Sequence, residues 1–484
     1  MQINFKIGNI SIKIGMWLAT AALTGCSKLV NVTPPITSIN TNNVYNDDAT
    51  ASAVLTGLYT NMMNSNSLTS GGLIDLTFYA GLSADELTLL PGLGNATYTG
   101  YYTNALTNQN TSSSDFWNCI YPMIYVANSA IEGLNGSNSL TPAVKQQLLG
   151  EAEFMRAFCY FYLVNLYGDV PLVLTTNYVQ NSDVERTPEV KVWQQIIADL
   201  QSAQNLLSPT YLDGTILNAT SQRLRPTKWA ACALLARVYL YNQQWANAES
   251  ESDSVIANTS QFSLGSLSEA FLASSTEAIW QLQPVVVGRN TPDAQIFIIP
   301  SSGPSSQWPV YLSSSLLNDF EQGDQRRLNW VDSVNIGGVT YYYSYKYKND
   351  TLNSNVDEYE MVLRLGEQYL IRAEAEAEMG GSAINASIAD LNLIRKRAGL
   401  GSTTASTQSD VLVAIMHERR VELFAEWGNR WLDLKRTGTI NAIMGTPGNA
   451  CAVKGGNWNA NWQLYPIQIS QIQADPQLTQ NAGY

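Results

Sequence analysis

Histidine is nearly missing from this chain, which has 484 residues and a single histidine, His417. A Ser-His-Asp site or a histidine-rich zinc site needs histidine held by partner residues, and one histidine cannot supply such a cluster. His417 stands beside Glu418, Arg419 and Arg420 in a helical pattern. We interpret it as an ordinary surface or packed histidine.

Cysteine is also scarce, and no cofactor motif accompanies it. Apart from Cys26, the chain has four cysteines, which form no C-x-x-C pair: Cys119, Cys159, Cys232 and Cys451. The first three of them stand in apolar helical runs. Buried free thiols are therefore predicted, and not disulfides or metal ligands. The sequence contains no P-loop, no dinucleotide-binding fingerprint and no His-Glu-x-x-His. We expect neither a cofactor nor a catalytic metal.

Positive charge is in short supply, because 27 Lys and Arg residues face 40 Asp and Glu residues and leave a net charge of −13. A nucleic-acid-binding surface needs a basic stripe, so this class of partner is not expected. Charged residues make up only 14% of the chain and hydrophobic residues 45%, which is ample for a large core. Tyrosine (25) and tryptophan (12) outnumber phenylalanine (11), a bias that suits surfaces with apolar bodies and hydrogen-bonding tips.

Long hydrophobic runs are lacking after the N-terminus, where Lys6 and Lys13 precede a short apolar run, Ile14–Leu23. This run is too short to span a bilayer and has the length of a signal peptide. It ends in Leu-Thr-Gly-Cys, a lipoprotein cleavage box that predicts lipidation of Cys26. We therefore assign residues 1–25 to a signal peptide and residues 26–45 to a tether rich in Pro, Thr and Asn.

Helical periodicity dominates the remaining chain and predicts a mostly α fold. Helices over Pro226–Asn242 and Trp245–Ala257 have the size pattern of a tetratricopeptide unit, with small Ala233 and Ala236 allowing close approach. A second pair over Tyr359–Met379 and 382–397 repeats this pattern. These tetratricopeptide-like pairs form a scaffold within two helical regions, 46–282 and 359–484.

Two segments lack this periodicity. Residues 69–113 are rich in Gly, Asn, Thr and Tyr and read as a long loop region. Residues 283–358 are broken by proline and end in an alternating stretch, with Tyr341, Tyr343, Tyr345 and Tyr347 on one side, which predicts a strand. The second segment is an irregular insertion with a β-hairpin between the two helical regions. We expect both segments to form the ligand-binding face.

Three glutamates, Glu418, Glu422 and Glu426, recur every four residues and share one helix face. Two of these carboxylates could serve as a glycosidase acid–base pair. The competing interpretation is a structural Arg–Glu network, because like charges at this spacing repel unless cations intervene. The supply of arginine nearby favours the network: Arg372, Arg395, Arg397, Arg430 and Arg436, with Asp433.

Several segments of the chain resemble the SusD/RagB family. They are DDATASAVLTGLY from Asp47, EAEFMRAFCYFYLVNLYGDVPLV from Glu151, LRLGEQYLIRAEAEAEMGG from Leu363, HERRVELFAEWGNRWLDLKRTG from His417, and the terminal NAGY. The resemblance implies a helical, non-catalytic lipoprotein that is anchored in the outer membrane and exposed at the cell surface. It also implies a partner, a SusC-like TonB-dependent transporter, to which the protein passes captured oligosaccharides.

A sugar ring offers a C–H face for stacking and hydroxyl groups for hydrogen bonds, so exposed loop aromatics beside polar groups are the natural contacts. Three clusters fit this description in the sequence and are our candidate ligand-binding residues: Tyr98, Tyr101 and Tyr102 with Asp85; Trp308 and Tyr311; and Trp458 and Trp462.

An alternative hypothesis is that the protein has the same role but binds peptides. A glycoside hydrolase is disfavoured because the chain carries no recognisable acid–base signature. A pure tetratricopeptide adaptor is disfavoured by the lipoprotein cleavage box and by the length of the irregular segments.

Overall fold

The structure is a computed structural model that describes residues 43–63, 75–110, 116–445 and 448–484. The signal peptide 1–25, Cys26 and most of the tether lie outside the described residues, so lipidation of Cys26 stays a prediction. The described residues from Tyr45 onwards belong to one compact unit, Tyr45–Tyr484.

Most of the described chain is helical, which confirms the mostly α prediction. The helices before the insertion are α1 Asp48–Met63, α2 Leu76–Ser83, α3 Ala96–Tyr102, α4 Phe116–Gly136, α5 Pro142–Tyr167, α6 Tyr178–Asn181, α7 Glu189–Leu206, α8 Lys228–Tyr241 and α9 Trp245–Ile256. Those within and after it are α10 Pro292–Phe297, α11 Ser314–Asp319, α12 Gln325–Asn329, α13 Leu365–Met379, α14 Ile384–Arg397, α15 Gln408–Glu422, α16 Asn429–Arg436, α17 Ile440–Gly445, α18 Ala450–Val453 and α19 Ile469–Ala474.

Short strands form four antiparallel pairs, two of which join distant parts of the chain. The strands are β1 Leu87–Leu89, β2 Val170–Pro171, β3 Arg186–Thr187, β4 Ala278–Leu282, β5 Val310–Leu312, β6 Val331–Ile336, β7 Val339–Ser344 and β8 Glu360–Arg364. The pairs are β1 with β5 and β4 with β8, which join distant parts of the chain, and β2 with β3 and β6 with β7. Strand β7 of the β6–β7 hairpin contains Tyr341 and Tyr343, the first two of the alternating tyrosines, and confirms the predicted strand.

The two predicted helix pairs are present, and they also pack against each other. Helix α9 packs on α8, α14 packs on α13, and α13 contacts both α8 and α9. Arg237 of α8 donates two hydrogen bonds to Glu367 of α13, at 2.7 and 2.5 Å. Alanines such as Ala373 and Ala377 are fully buried between the helices. The pairs therefore form one continuous scaffold, whose tetratricopeptide-like character stays a prediction.

Two segment predictions were wrong. The helix predicted over Tyr359–Met379 begins only at Leu365, because Glu360–Arg364 form strand β8 against β4 and are buried throughout. Residues 69–113 are not one long loop, since their described part contains α2, β1 and α3. In α3 the Asn95 side chain accepts a hydrogen bond from the Tyr98 N–H and caps the helix. Helices α2 and α3 were missed in the sequence because their polar and aromatic residues show no clear helical periodicity.

None of the helices in the described ranges combines the length and the apolar character that crossing a lipid bilayer requires.

Candidate ligand-binding cleft

A cleft of about 550 Å³ lies where the insertion meets the rest of the chain. One wall is formed by Asp85, Leu87, Thr88 and Tyr102, and a second by Tyr311 and Ser313–Ser315. Arg420 of α15 lines the cleft between them, and the remaining side comes from a C-terminal segment: Ile443, Gly448, Asn449, Ala450, Val453 and Lys454. Its volume is within the usual range of small-ligand sites.

The pairing of β1 with β5 builds the cleft from segments that lie more than two hundred residues apart. Thr88 stands opposite Tyr311 in this ladder. Ser313 extends the junction, because its N–H donates to the Glu86 carbonyl at 2.8 Å and its hydroxyl to the Asp85 carbonyl at 2.6 Å. The two walls are thus held by backbone hydrogen bonds, which fix the cleft before any ligand arrives.

Aromatic side chains cover part of this cleft. Tyr102, at the end of α3, and Tyr311, in β5, are both half-buried and line it. Tyr341 of β7 packs edge-on against Tyr311, with ring centroids 5.1 Å apart. Burial raises the pKa of both lining tyrosines, and a neighbouring tyrosine hydroxyl raises each further. Both hydroxyl groups therefore stay protonated and can donate hydrogen bonds to a ligand.

Asp85 lies at the cleft wall but is fully engaged with arginine. Arg430 binds its two oxygens at 2.8 and 2.9 Å, and Arg420 adds a contact at 2.8 Å. Burial opposes ionisation of Asp85, but the hydrogen bonds and charge of Arg430, together with the charge of Arg420, lower its pKa to about 2. Asp85 is therefore a fixed carboxylate that accepts hydrogen bonds and cannot serve as a general acid at neutral pH.

The adjacent residue, Glu86, has the opposite protonation state. Burial, reinforced by the charge of Asp85, raises the pKa of Glu86 to about 8, so it is mostly neutral at pH 7. Two carboxyl groups with separated pKa values are the pattern of an acid–base pair. Glu86, however, is 2% exposed and does not line the cleft. A ligand in the cleft cannot reach it, so the pair does not form a glycosidase site.

Lys454 closes the cleft from the C-terminal side. Its ammonium group donates to the carbonyl groups of Leu82, Ser83 and Ala84 at 2.8, 3.0 and 2.8 Å, where α2 ends. It also lies 5.5 Å from the centre of the Tyr102 ring. A cation at a helix C-terminus is favoured by the helix dipole. Lys454 thus joins α2, α3 and the C-terminal segment.

Three of the eight predicted ligand-binding residues, Asp85, Tyr102 and Tyr311, meet in this cleft. The expected loop exposure was wrong for Tyr98 and Tyr101, which are 5% and 1% exposed. Both lie on the inner face of α3, where they pack against Tyr79 with centroids 6.2 and 4.7 Å away. Tyr102, the last residue of the helix, is half-buried and lines the cleft.

The predicted tryptophans lie outside this cleft and are half-buried. Trp308 donates its indole N–H to the Gln295 carbonyl at 3.1 Å. Trp458 donates to Asn441 at 2.8 Å and packs against the buried Trp431. Trp462 donates to the Gly483 carbonyl at 3.3 Å. Each indole N–H is thus used within the protein, and a ligand role for these three residues stays a prediction.

Sequence reasoning missed three residues of the site: Arg420, Lys454 and Tyr341. In the sequence Arg420 belongs to a run of charge on a helix, and Lys454 stands alone in a polar loop. Tyr341 stands in a predicted strand with no assigned role. The alternation of tyrosines in β7 was the available signal for Tyr341, because every second residue of a hairpin strand faces the same side.

The glutamate stripe on α15 is buried in an arginine network, as the structural interpretation predicted. Glu422 contacts Arg326 at 3.0 Å, Arg364 at 2.6 Å, and Arg397. Glu426 binds Arg364 at 2.8 Å as well as Lys346. Arg430 does not join this network and binds Asp85 instead, and Arg372 binds Asp253 and Asp390. With each charge paired, these carboxylates are structural.

The single histidine lies beside two glutamates whose carboxylates are already paired with arginine. In the described part of the chain, only Glu321, His417 and Glu418 bring three potential metal-ligand atoms within 4.8 Å of one another. Arg395 already binds both glutamates, at 2.5 and 3.3 Å, and Arg326 binds Glu418. The His417 ring contacts the Asp319 carbonyl at 3.0 Å. The interpretation of His417 as a packed histidine fits these contacts.

Comparison with known proteins finds two family models that together match most of the chain. A model of the SusD family matches residues 313–484, and a model described as starch-binding and associating with the outer membrane matches residues 38–240. SusD-like protein P25 of Formosa agariphila is 26% identical over 438 residues, which is 78% of this chain and 80% of the relative.

Solved structures show the same fold. A SusD superfamily protein from Bacteroides vulgatus has a TM-score of 0.77 at 21% identity, covering 91% of this chain and 100% of its own. Surface glycan-binding protein A from Bacteroides uniformis has a TM-score of 0.76 at 20% identity, with coverage of 90% and 99%. The scaffold and the insertion together therefore follow a known architecture.

Proposed function

Because the chain belongs to the SusD/RagB family, we propose that it binds an oligosaccharide in the cleft between Tyr102 and Tyr311. The protein holds the glycan without cleaving it. It then passes the glycan to a TonB-dependent transporter of the outer membrane, to which its lipid anchor keeps it close. Names of similar proteins agree with this role, since they include a starch-binding protein and a surface glycan-binding protein.

The observation that carries this proposal is the composition of the cleft. Two tyrosines offer apolar faces for the C–H side of sugar rings. Around them stand small hydroxyl and amide groups, from Thr88, Ser313–Ser315 and Asn449, which match the hydroxyl groups of a sugar. The walls are held by strand pairing, so little conformational entropy is lost on binding.

Binding without hydrolysis follows from the charges at the site. Asp85 is ionised and paired with two arginines, and Glu86 is buried out of reach. The glutamates of α15 are held in ion pairs and do not line the cleft. A glycosidase needs one protonated and one ionised carboxyl group on either side of the scissile bond. The described lining offers a single carboxylate and no second carboxyl group.

Calorimetry with the soluble chain from Ser27 onwards, which keeps every described residue, tests the binding site. A glycan array identifies ligands, and Tyr311→Ala should then weaken binding about tenfold, as expected for loss of an aromatic contact of about 1.4 kcal/mol. Tyr345→Ala, which follows β7 directly and does not line the cleft, is the control. Normal affinity in Tyr311→Ala rejects this cleft, and binding of peptides with no glycan makes the peptide hypothesis correct.

Anchoring has a separate test. Leu23-Thr24-Gly25-Cys26 carries this part of the proposal, since stable attachment depends on the acyl chains. Cys26→Ala in the full-length protein should abolish incorporation of a fatty-acid analogue and move the protein out of the membrane fraction. Ser27→Ala, one residue away, is the control and should behave like the wild type. Undiminished labelling of Cys26→Ala would contradict the lipid anchor.

A further inference from the structure

The cleft has a charge opposite to that of the chain as a whole. Its lining residues include two cations, Arg420 and Lys454, and one carboxylate, Asp85. The complete chain has a net charge of −13. A local excess of positive charge in a cleft attracts anions to this surface.

The single carboxylate does not cancel this excess, because it is shared by two guanidinium groups. Arg430 makes a two-point contact with Asp85, and Arg420 contacts the same carboxylate at 2.8 Å. Asp319 also pairs with Arg420, but on its other terminal nitrogen. The Nε–H of Arg420 has no hydrogen-bond partner in the described part of the chain. This Nε–H is buried, and the terminal nitrogen that contacts Asp85 also donates to the Ser315 hydroxyl at 2.9 Å.

Lys454 adds a second cation, which an anion close to it would keep in the protonated form, because burial lowers the pKa of Lys454 to about 7. Its ammonium group contacts three backbone carbonyls and the Tyr102 ring, and it forms no ion pair with a carboxylate of the described residues. Carbonyl groups satisfy its hydrogen bonds but carry no formal charge. The ammonium group lies beside Tyr102, one of the two aromatic rings that line the cleft.

We infer that the glycan of this cleft bears an anionic substituent, a uronate carboxylate or a sulfate ester, which lies between Arg420 and Lys454. This inference rests on the proposed function and names the class of ligand more narrowly. The shared chemistry is an oxyanion with two or three acceptor oxygens. Hydrogen bonds between charged partners are shorter and stronger than neutral ones, so the substituent would add both affinity and selectivity.

The test uses arrayed oligosaccharides of three kinds: neutral laminari-oligosaccharides, oligogalacturonates, and sulfated carrageenan oligosaccharides. Each acidic ligand that binds is compared by calorimetry with its own neutralised form, obtained by carboxyl reduction or by desulfation. We expect the acidic form to bind at least about tenfold more tightly, and this preference to shrink as ionic strength rises. The uronate and sulfate arms identify which oxyanion is recognised.

Variants of the two cations test whether they cause the preference for acidic glycans. Lys454→Met should reduce the difference between the acidic and neutralised forms, while Lys191→Met, a change at an exposed lysine of α7, should preserve it. Because Lys454 also holds α2, Arg420→Gln is the second variant, and circular dichroism verifies the folding of each. The ionic-strength dependence of the wild-type protein needs no variant.

Equal affinity for acidic and neutralised glycans, with Tyr311→Ala still weakening both, overturns the inference and leaves the proposed function intact. An unchanged acidic preference in both variants also overturns it, because the anion then binds elsewhere. If no glycan of any class binds, the proposed function and the inference fail together.

Discussion

Two neighbouring arginines of α15 serve two different regions of the molecule. Arg419 points into the buried network of ion pairs around α15, where it binds Asp433 at 2.8 Å and is 1% exposed. Arg420 points to the cleft and is half-buried. In the network each charge is matched by an opposite charge, whereas in the cleft the cations exceed the carboxylates. Matched charges stabilise the scaffold, and the unmatched ones line the proposed ligand site.

The largest expected effect is on the network. Glu422→Gln should lower the free energy of unfolding by roughly 3–5 kcal/mol, because the fully buried Glu422 faces Arg326, Arg364 and Arg397 and its loss leaves buried positive charge uncompensated. Urea denaturation of the soluble chain measures it. Glu185→Gln, at an exposed glutamate, is the control and should stay within about 0.5 kcal/mol.

If Glu422→Gln instead unfolds at the same urea concentration as the wild type, the network is not a source of stability. A hydrolytic activity in the wild type that this variant loses would restore the enzyme hypothesis.

The second expected effect is on the pH dependence of stability, through Glu86. Burial, followed by the charge of Asp85, raises its pKa from 4.5 to about 8. The folded state therefore holds this proton more tightly than the unfolded state, and stability from this group is lost as pH rises between these values. Glu86→Gln cannot ionise, so its stability should fall less from about pH 5 to about pH 8, by up to about 4 kcal/mol.

Denaturation midpoints across this pH range measure the difference. Carboxylates with lowered pKa values, such as Asp85 and Glu422, lose their contribution only on the acid side of this window, as pH falls through their folded values. They therefore do not mask it. Parallel pH profiles for the wild type and Glu86→Gln would show that Glu86 is not protonated in the folded protein.

A smaller effect is expected at the edge of the cleft. Tyr341→Ala removes the ring that supports Tyr311 and should weaken glycan binding by about 2- to 10-fold, equivalent to about 0.5–1.5 kcal/mol for one aromatic pair. Calorimetry with the glycan found on the array measures this change. Tyr345→Ala, further along the same chain segment, should leave the affinity unchanged. Equal losses in both variants would indicate general damage to the hairpin.

The smallest effect is expected for Trp462→Ala. Its ring lies outside the cleft and its N–H is bound to the Gly483 carbonyl, so affinity should stay within about twofold of the wild type. The same calorimetric titration decides the matter. A loss of about tenfold or more would move the ligand site to the C-terminal loop and favour the cluster of Trp458 and Trp462 instead.

The contrast between the two regions also explains how much the sequence could predict. Helical spacing placed Glu418, Glu422 and Glu426 on one face, and their mutual repulsion required arginine partners. The helix pairs and the β6–β7 strand pattern followed from periodicity in the same way. Such predictions need only local geometry, which a sequence contains.

The cleft could be predicted only in part, because it depends on contacts between distant segments. Tyr98, Tyr101 and Tyr102 look alike in sequence, yet the turn of α3 buries two and directs one to the cleft. The pairing of β1 with β5 joins residues 87–89 to 310–312, and no local pattern specifies that partner. Arg420 differs from its charged neighbours through its contacts with Asp85 and Asp319, which come from distant segments.

The pairing of β4 with β8 has a consequence for how such a protein can diversify. Ala278–Leu282 and Glu360–Arg364 lie side by side, so the chain leaves the scaffold and returns to it at one clasp. The ends of the intervening segment are already fixed, and lengthening a closed loop twofold costs only about 0.6 kcal/mol. New residues can therefore be inserted or exchanged between the clasp strands, and a different recognition surface gained, while the helices keep their positions.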